Sequence, residues 1–313
     1  MHGRDRLSPL QRESLFVCPS CRSPLRRVET GWNCDREEIA FCMTEGIPDF
    51  ILPSRRPNVE RFLVLYQAVR KAEGWRIDDR NSLINLPYPE GNTRFRNLWQ
   101  LRARTYEYFM TLLNLRAGPT PLKILDLGAG NCWMAYRLAE SHRSIVAVDI
   151  NADFFDGLGV SGAVLEKAER SVIRICAEYD SLPFPDGSFD IACFNASLHY
   201  SRDPVQTVLR TFNVLNDGGS IYVLDSPLYR DPESGRRMVM ERQEKYRSLY
   251  HIELPDDLAG GFLTYTQLEQ LRRECSVEII RPKYGFLWNL RPNVARLLGR
   301  REPATFAILH IRR

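Results

Sequence analysis

Three groups of residues combine types and spacings that chemistry can use. The first is Asp126-Leu127-Gly128-Ala129-Gly130, which closes an apolar run beginning at Ile124. Glycines at alternate positions permit a tight turn whose backbone N–H groups can approach a nucleotide-like ligand. A second apolar run, Val146 to Val148, ends in Asp149 and Ile150, and an acid about twenty residues after such a turn can accept from both hydroxyls of a ribose. The second group is Cys18, Cys21, Cys34 and Cys42. Two thiols across the Cys18-Pro-Ser-Cys21 turn, with further ligands on a second turn, suit tetrahedral zinc. The third is Asn195-Ala-Ser-Leu-His199-Tyr200, where a histidine titrating near neutral pH beside a phenol can take a proton.

The elements that must position these groups alternate in type. Strands are expected at Lys123–Leu127, Ser144–Asp149, Val172–Cys176, Phe189–Asn195, Gly219–Asp225, Val277–Tyr284 and Thr305–Ile311, with helices between them such as Trp133–Ser141 and Pro204–Leu215. Alternation of this kind predicts an α/β fold with a mainly parallel sheet covered on both faces. Before it, residues 54–118 carry helical stripes, Phe62-Leu65-Tyr66-Val69 and Trp99-Tyr106-Phe109-Met110-Leu113, broken at Asn85-Leu-Pro-Tyr-Pro-Glu-Gly. The division expected is therefore 1–53, a cysteine-bearing segment with little core of its own; 54–118, a helical linker or lid; and 119–313, the main domain. A charged helix near Gly235–Tyr250 lies in a long excursion between strands, of the kind that shapes pockets.

Composition excludes several classes. The 313 residues are 44% hydrophobic and 26% charged, ordinary for a globular protein. No apolar run approaches the ~18 residues that span a bilayer. The first twelve residues carry Arg4, Arg6 and Arg12 around no apolar stretch, so a cytoplasmic protein is expected. Cys132, Cys176, Cys193 and Cys275 stand in apolar or motif contexts and read as reduced core residues. The formal net charge of +4 is uneven: residues 61–118 hold 10 basic against 5 acidic residues, whereas residues 1–60 hold 9 of each. That basic segment interleaves Arg94, Arg96, Arg102 and Arg104 with Phe95, Trp99 and Tyr106, a mixture that can bind phosphates and stack bases, receive a small anionic or aromatic substrate, or simply pack as an amphipathic lid.

Taken in order, Asp126 to Gly130, Asp149-Ile150, Glu178-Tyr179-Asp180-Ser181-Leu182-Pro183-Phe184, and Phe189 to Asn195 followed by Gly218-Gly219 resemble the class I S-adenosylmethionine-dependent methyltransferases. The resemblance is to their type 11 subgroup, which includes quinone-biosynthesis enzymes, and it covers roughly 120–225. It implies a doubly wound Rossmann-like seven-stranded methyltransferase sheet. It also implies that Gly128 and Gly130 flank the methionine part of the cofactor, and that Asp126 orients that loop or meets the amino group. Asp149 would hold the ribose and Ile150 the adenine face. Glu178 would accept from the adenine amino group with the Tyr179 N–H as ring donor, and Asn195 would face the sulfonium. Trp133 stands where a dinucleotide fingerprint needs glycine, which suits a cofactor without phosphate. Two departures are Cys132 as the third small residue of the turn and Glu178 in place of Asp.

The first fifty residues resemble the zinc ribbon that precedes a bacterial ribosomal-RNA guanine methyltransferase. Glu37 stands where that ribbon has its fourth ligand, so zinc on Cys18, Cys21 and Cys34 with either Cys42 or Glu37 is the expectation. Three functions stay open: methyl transfer to a small-molecule or lipid-like acceptor, with His199, Tyr200 and Asn195 nearest the chemistry; methylation of RNA through the ribbon and the basic helices; and a non-catalytic zinc-ribbon interaction protein.

Overall fold

The computed structural model describes residues 16–76, 80–89, 95–116, 118, 120–139, 144–160, 172–255 and 260–313. Arg4, Arg6, Arg12, Arg94 and the expected helix end at Ser141 lie outside the described residues. The chain opens with a four-stranded antiparallel sheet, β1 (Arg26–Val28), β2 (Gly31–Cys34), β3 (Ile39–Thr44) and β4 (Ile47–Pro48), paired in chain order. Three helices follow: α1 (Arg56–Glu73), α2 (Arg80–Asn85) and α3 (Arg96–Leu115). The remainder alternates: β5 (Lys123–Leu127), α4 (Trp133–Ala139), β6 (Ser144–Asp149), β7 (Val172–Cys176), β8 (Phe189–Asn195), α5 (Pro204–Thr211), β9 (Leu215–Leu224), β10 (Leu228–Tyr229), α6 (Pro232–Tyr250), β11 (Leu263–Thr264), α7 (Tyr265–Leu271), β12 (Ser276–Ile280), α8 (Phe286–Leu297) and β13 (Ile308–Arg312).

Seven strands form the main sheet in the order β12-β13-β9-β8-β5-β6-β7. β5 pairs in parallel with both β6 and β8. The strand order therefore reverses at β5 and opens a crevice beyond its carboxyl end, the place where doubly wound sheets bind ligands. β5 to β8 have the bounds that their apolar runs predict. β9 begins four residues earlier than expected, and the two final strands pair antiparallel. Helix starts are capped where the sequence provides a short polar side chain before proline. Asp203 accepts from the Gln206 N–H ahead of Pro204, and Asp231 accepts from the Glu233 and Ser234 N–H groups around Pro232.

The small sheet does not stand apart. Phe16, Trp32, Phe41 and Phe50 are buried in one cluster with Phe184, Phe189 and Phe194 of the main domain. The Val17 N–H donates to the Pro183 carbonyl (3.1 Å), and the Phe50 N–H donates to the Cys176 carbonyl at the end of β7 (2.8 Å). Burial of each such aromatic ring stabilises by roughly 1.5–3 kcal/mol, and here much of that gain needs both parts. The opposite face of the sheet is covered by α3 and α4, where Trp99, Tyr106, Phe109 and Leu113 pack with Trp133, Tyr136 and Tyr222.

Candidate active site

The glycine turn lies at the sheet's reversal point. Gly128 has φ 72° and its N–H donates to the Val148 carbonyl (2.8 Å). A side chain there would meet the Ser197 Cβ at 2.3 Å, so the β5 and β8 ends approach only because the position is bare. Gly130, at φ 54°, has nothing within 4 Å of where a Cβ would stand. That open space faces a cavity of about 670 Å³, lined on this side by Gly128 to Asn131 and Trp133. The Gly130 N–H donates to Asp149 Oδ2 and the Asn151 N–H to Oδ1, both 2.8 Å. Asp149, which ends β6, is thereby held beside the turn with its carboxyl pushed up by burial and partly restored by those amides. Ile150 is half-buried and packs against the apolar cluster behind it.

Asp126 does not reach the cavity. It is buried, neither carboxylate oxygen has a hydrogen-bond partner, and the Ala135 amide offsets this only in part. Burial, then the nearby Asp149, push its carboxyl up to about 7.

Glu178 has a partner that the sequence pattern does not suggest. Arg55, in the link between β4 and α1, grips its carboxylate through Nη2 (2.8 Å) and Nε (3.1 and 3.2 Å). The carboxylate expected to accept from an adenine amino group is thus already held by a residue 123 positions away. The Tyr179 ring turns inward, edge-on to Phe194 at 5.7 Å.

The far side of the cavity is formed by the ends of β8 and β9. Asn195 lines it, and Ala196 (φ 53°) and Asp225 (φ 50°) both hold left-handed backbone there, a conformation costing of order 1–3 kcal/mol and concentrated at functional sites. His199 is buried with Nδ1 3.3 Å from Ser226 Oγ. Burial, then Arg242 and Arg102, pull its pKa down to about 3. The expectation of a histidine titrating near neutral pH is corrected: two cations and the lack of water keep the ring uncharged. Tyr200 is 38% exposed and stands edge-on to Phe62 and Tyr66 of α1.

The roof is the helical segment. Phe62, Tyr66, Trp75, Trp99 and Arg102 line the cavity, joined by Arg242 and Tyr246 of α6. Arg70 ties α1 to the main domain by a bidentate pair with Asp156, and Lys245 of α6 pairs with Glu73 of α1 (2.8 Å). Of the residues that read as a nucleic-acid surface, the aromatics and Arg102 turn toward the cavity or the core, while Arg96 and Arg104 stay exposed. Trp99 and Tyr106 are buried, Arg104 donates to the Tyr284 carbonyl, and Phe95 stacks on Trp75 at 3.6 Å. Arg102 was legible as an anomaly, since it stands three residues after Trp99 and four before Tyr106, an arginine on the apolar stripe.

Cys18, Cys21 and Cys34 bring their sulfurs within 4.8 Å of one another, and the Glu37 N–H donates to Cys34 Sγ (3.4 Å). Cys42 is not with them. Ile39 pairs with Cys34, and Cys42 lies three residues further along β3, so period-two alternation puts it on the opposite, exposed face. Among the described residues neither Cys42 nor the Glu37 carboxylate supplies a fourth ligand atom to the three. Arg22, next to Cys21, donates to the Leu182 and Phe184 carbonyls (2.8 and 2.7 Å) and pairs with Asp186.

Comparison with known proteins agrees with this geometry. A family described as a methyltransferase domain matches residues 125–223. A 27-O-demethylrifamycin SV methyltransferase from Amycolatopsis mediterranei is 29% identical over 156 residues, covering 45% of this chain and 54% of the relative. A tRNA 5-carboxymethoxyuridine methyltransferase from Escherichia coli is 24% identical over 107 residues, covering 34% of this chain and 41% of the relative. The chain thus spans about half the length of the curated relatives it matches. Among solved structures, the [4+2]-cyclase SpnF superposes with a TM-score of 0.50 at 16% identity, over 84% of this chain and 97% of that one, which shows a shared fold. Residues 125–223 are thus a methyltransferase domain of the class I, S-adenosylmethionine-dependent type.

Proposed function

We propose that the chain transfers a methyl group from S-adenosylmethionine to a small-molecule acceptor enclosed with it in the cavity. The observation that carries this reading is the roofed cavity itself. Its volume of about 670 Å³ lies in the range of small-ligand sites, roughly 300–1,000 Å³, and its lining joins the glycine turn to the ends of β8 and β9. The open space at Gly130 and the fixed Asp149 carboxylate suit a nucleoside whose ribose meets Asp149 and whose amino-acid part passes Gly128. Asn195, at the end of β8, lines the cavity.

The sulfonium of the cofactor supplies an already activated methyl group, so the chain's task is alignment and exclusion of water. α1, α3 and α6 provide both by covering the strand ends. His199, uncharged at neutral pH, can hold an acceptor by hydrogen bonding but does not store a proton there. Binding of S-adenosylhomocysteine in calorimetry tests the reading directly. Asp149→Ala is expected to weaken it on the order of a hundredfold, the loss of a charge-assisted contact together with the support of the Gly130 loop. No binding by the intact protein at millimolar ligand overturns the reading.

The tRNA-modifying relative supports an RNA acceptor as the second reading. The buried Trp99 and Tyr106 of α3 and the cavity-lining Arg102 favour the small acceptor, and salt-dependent binding of RNA by the intact protein would reverse that preference. In the N-terminal sheet, Cys18, Cys21 and Cys34 are the residues that would hold zinc. Elemental analysis of unchelated protein should give close to one zinc per chain, lost in Cys34→Ser and kept in Cys42→Ser; less than ~0.2 per chain counts against a metal.

A further inference from the structure

One half-buried cation of the roof has been given no partner. Arg102 reaches into the cavity from α3 with its guanidinium over the Trp99 ring at 4.9 Å and the Trp75 ring at 5.8 Å. Its Nε is buried without a hydrogen-bond partner, and among the described residues it makes no hydrogen bond or ion pair. Asp225 is close enough to be felt but is not paired with it, and the Asp225 carboxylate accepts instead from Thr105 Oγ1 (2.8 Å). Arg70, the neighbouring cation, is already committed to Asp156. A half-buried guanidinium whose Nε has no partner is left short of an anion, and stacking on tryptophan offsets only part of that, about 1–2 kcal/mol.

The position decides which ligand could complete it. The donor half of the cavity is lined by Gly128 to Asn131 after β5, with Asp149 at the end of β6 holding the Gly130 N–H from behind. Arg102 instead acts on His199 and Asp225, which follow β8 and β9, and Arg242 acts on the same histidine. That half is electropositive before any cofactor adds a sulfonium charge. Its walls are flat rings: Trp99, Tyr66, Phe62 and Tyr200.

We propose that the methyl acceptor is a planar aromatic acid whose carboxylate is held by Arg102 between the rings of Trp75 and Trp99 and the ends of β8 and β9. The inference rests on the methyl-transfer reading for its name, but not for its test. A carboxylate forks onto guanidinium in a geometry an amide cannot match, and the aromatic body fills the space that the rings leave. Arg102 is then a specificity-determining residue, and the neutral His199 is left to meet a hydroxyl or amine of the same molecule.

The probes are salicylate and hydroxynaphthoate, each against its neutral amide. They are titrated into the full chain with and without S-adenosylhomocysteine, and read by tryptophan fluorescence and calorimetry. The acid of a pair is expected to bind at least about tenfold more tightly than its amide. Arg102→Met is expected to reduce that preference to less than about threefold while S-adenosylhomocysteine binding stays within about threefold. Arg102→Lys should keep part of the preference, because the charge remains without the fork. It also serves as the readout if the Met variant does not fold. Equal binding of acid and amide, or no binding of either acid, overturns the proposal. So does a loss of S-adenosylhomocysteine binding in Arg102→Met that is not seen for S-adenosyl-thiopropylamine, which lacks the carboxylate, since the anion on Arg102 is then the donor's. If wild type binds the acids but never S-adenosylhomocysteine, the methyl-transfer reading fails and the anion site stands.

Discussion

The two halves of the cavity are built in different ways. The half at β5 and β6 is made of backbone, Gly128 to Gly130, with the Asp149 carboxylate behind it holding the Gly130 N–H, all within 22 residues. The half at β8 and β9 is made of side chains brought from far apart, Arg102 from α3, His199 from the loop after β8, and Arg242 from α6. The first half presents a surface that follows from strand, turn and strand. The second presents a charge pattern that exists only after folding. A shared cofactor and a variable acceptor would require such a contrast, because local geometry can be inherited as a unit while a scattered constellation can be changed one residue at a time.

Gly128 is where the halves touch, and it is the most severe way to break the contrast. Gly128→Ala would place a Cβ 2.3 Å from the Ser197 Cβ on a left-handed backbone, and should destabilise the fold by about 3 kcal/mol in denaturant unfolding. A loss below about 1 kcal/mol would mean that the two strand ends can part freely.

Asp126 lies beneath the first half and gives a smaller, pH-dependent effect. Its carboxyl is near 3.8 when unfolded and about 7 when folded. Between those values the folded chain keeps a proton that the unfolded chain has released, so stability falls as pH rises through the window and the full cost is present above it. Asp126→Asn should therefore gain on wild type by about 2 kcal/mol between pH 5 and pH 8. A difference that does not change with pH would show that the carboxylate is better satisfied than its orphaned oxygens indicate.

Gly130→Ala should do least to the fold, about 1 kcal/mol for the backbone strain, because nothing lies within 4 Å. Its effect should appear in the cofactor's affinity, the reverse of Gly128→Ala. Together the two glycines separate a residue kept bare for the protein from one kept bare for the ligand.

Legibility in the sequence follows the same contrast. β5 to β8 were readable to the residue because strands buried on both faces are mainly apolar runs, interrupted here only by single polar residues such as Arg174 and Asp190. The glycine turn and Asp149 were readable because their spacing is itself the geometry. Arg55 on Glu178 was not, since a side-chain pair 123 residues apart leaves no periodic trace. Cys42 misled because spacing along the chain suggested a ligand while strand alternation turned it to the opposite face. His199 was found, but its charge state was not, because that depends on burial and on cations from other elements. Arg102 was visible as a basic residue and misread as surface, although its place on the apolar stripe marked it as inward.

The contact between the N-terminal sheet and β7 has a consequence for solubility. β7 is the last strand of the main sheet, and an open edge of that kind can template pairing with another chain. Asp49 and Phe50 occupy its end by a parallel bridge and a backbone hydrogen bond to Cys176, while Phe16 and Trp32 cover the aromatic cluster behind it. A chain cut at Pro53 would keep every residue of the glycine turn and still present a sticky edge beside bare phenylalanines. The cysteine-bearing segment thus covers the end of that edge and the phenylalanines beside it, and its removal would be expected to promote self-association.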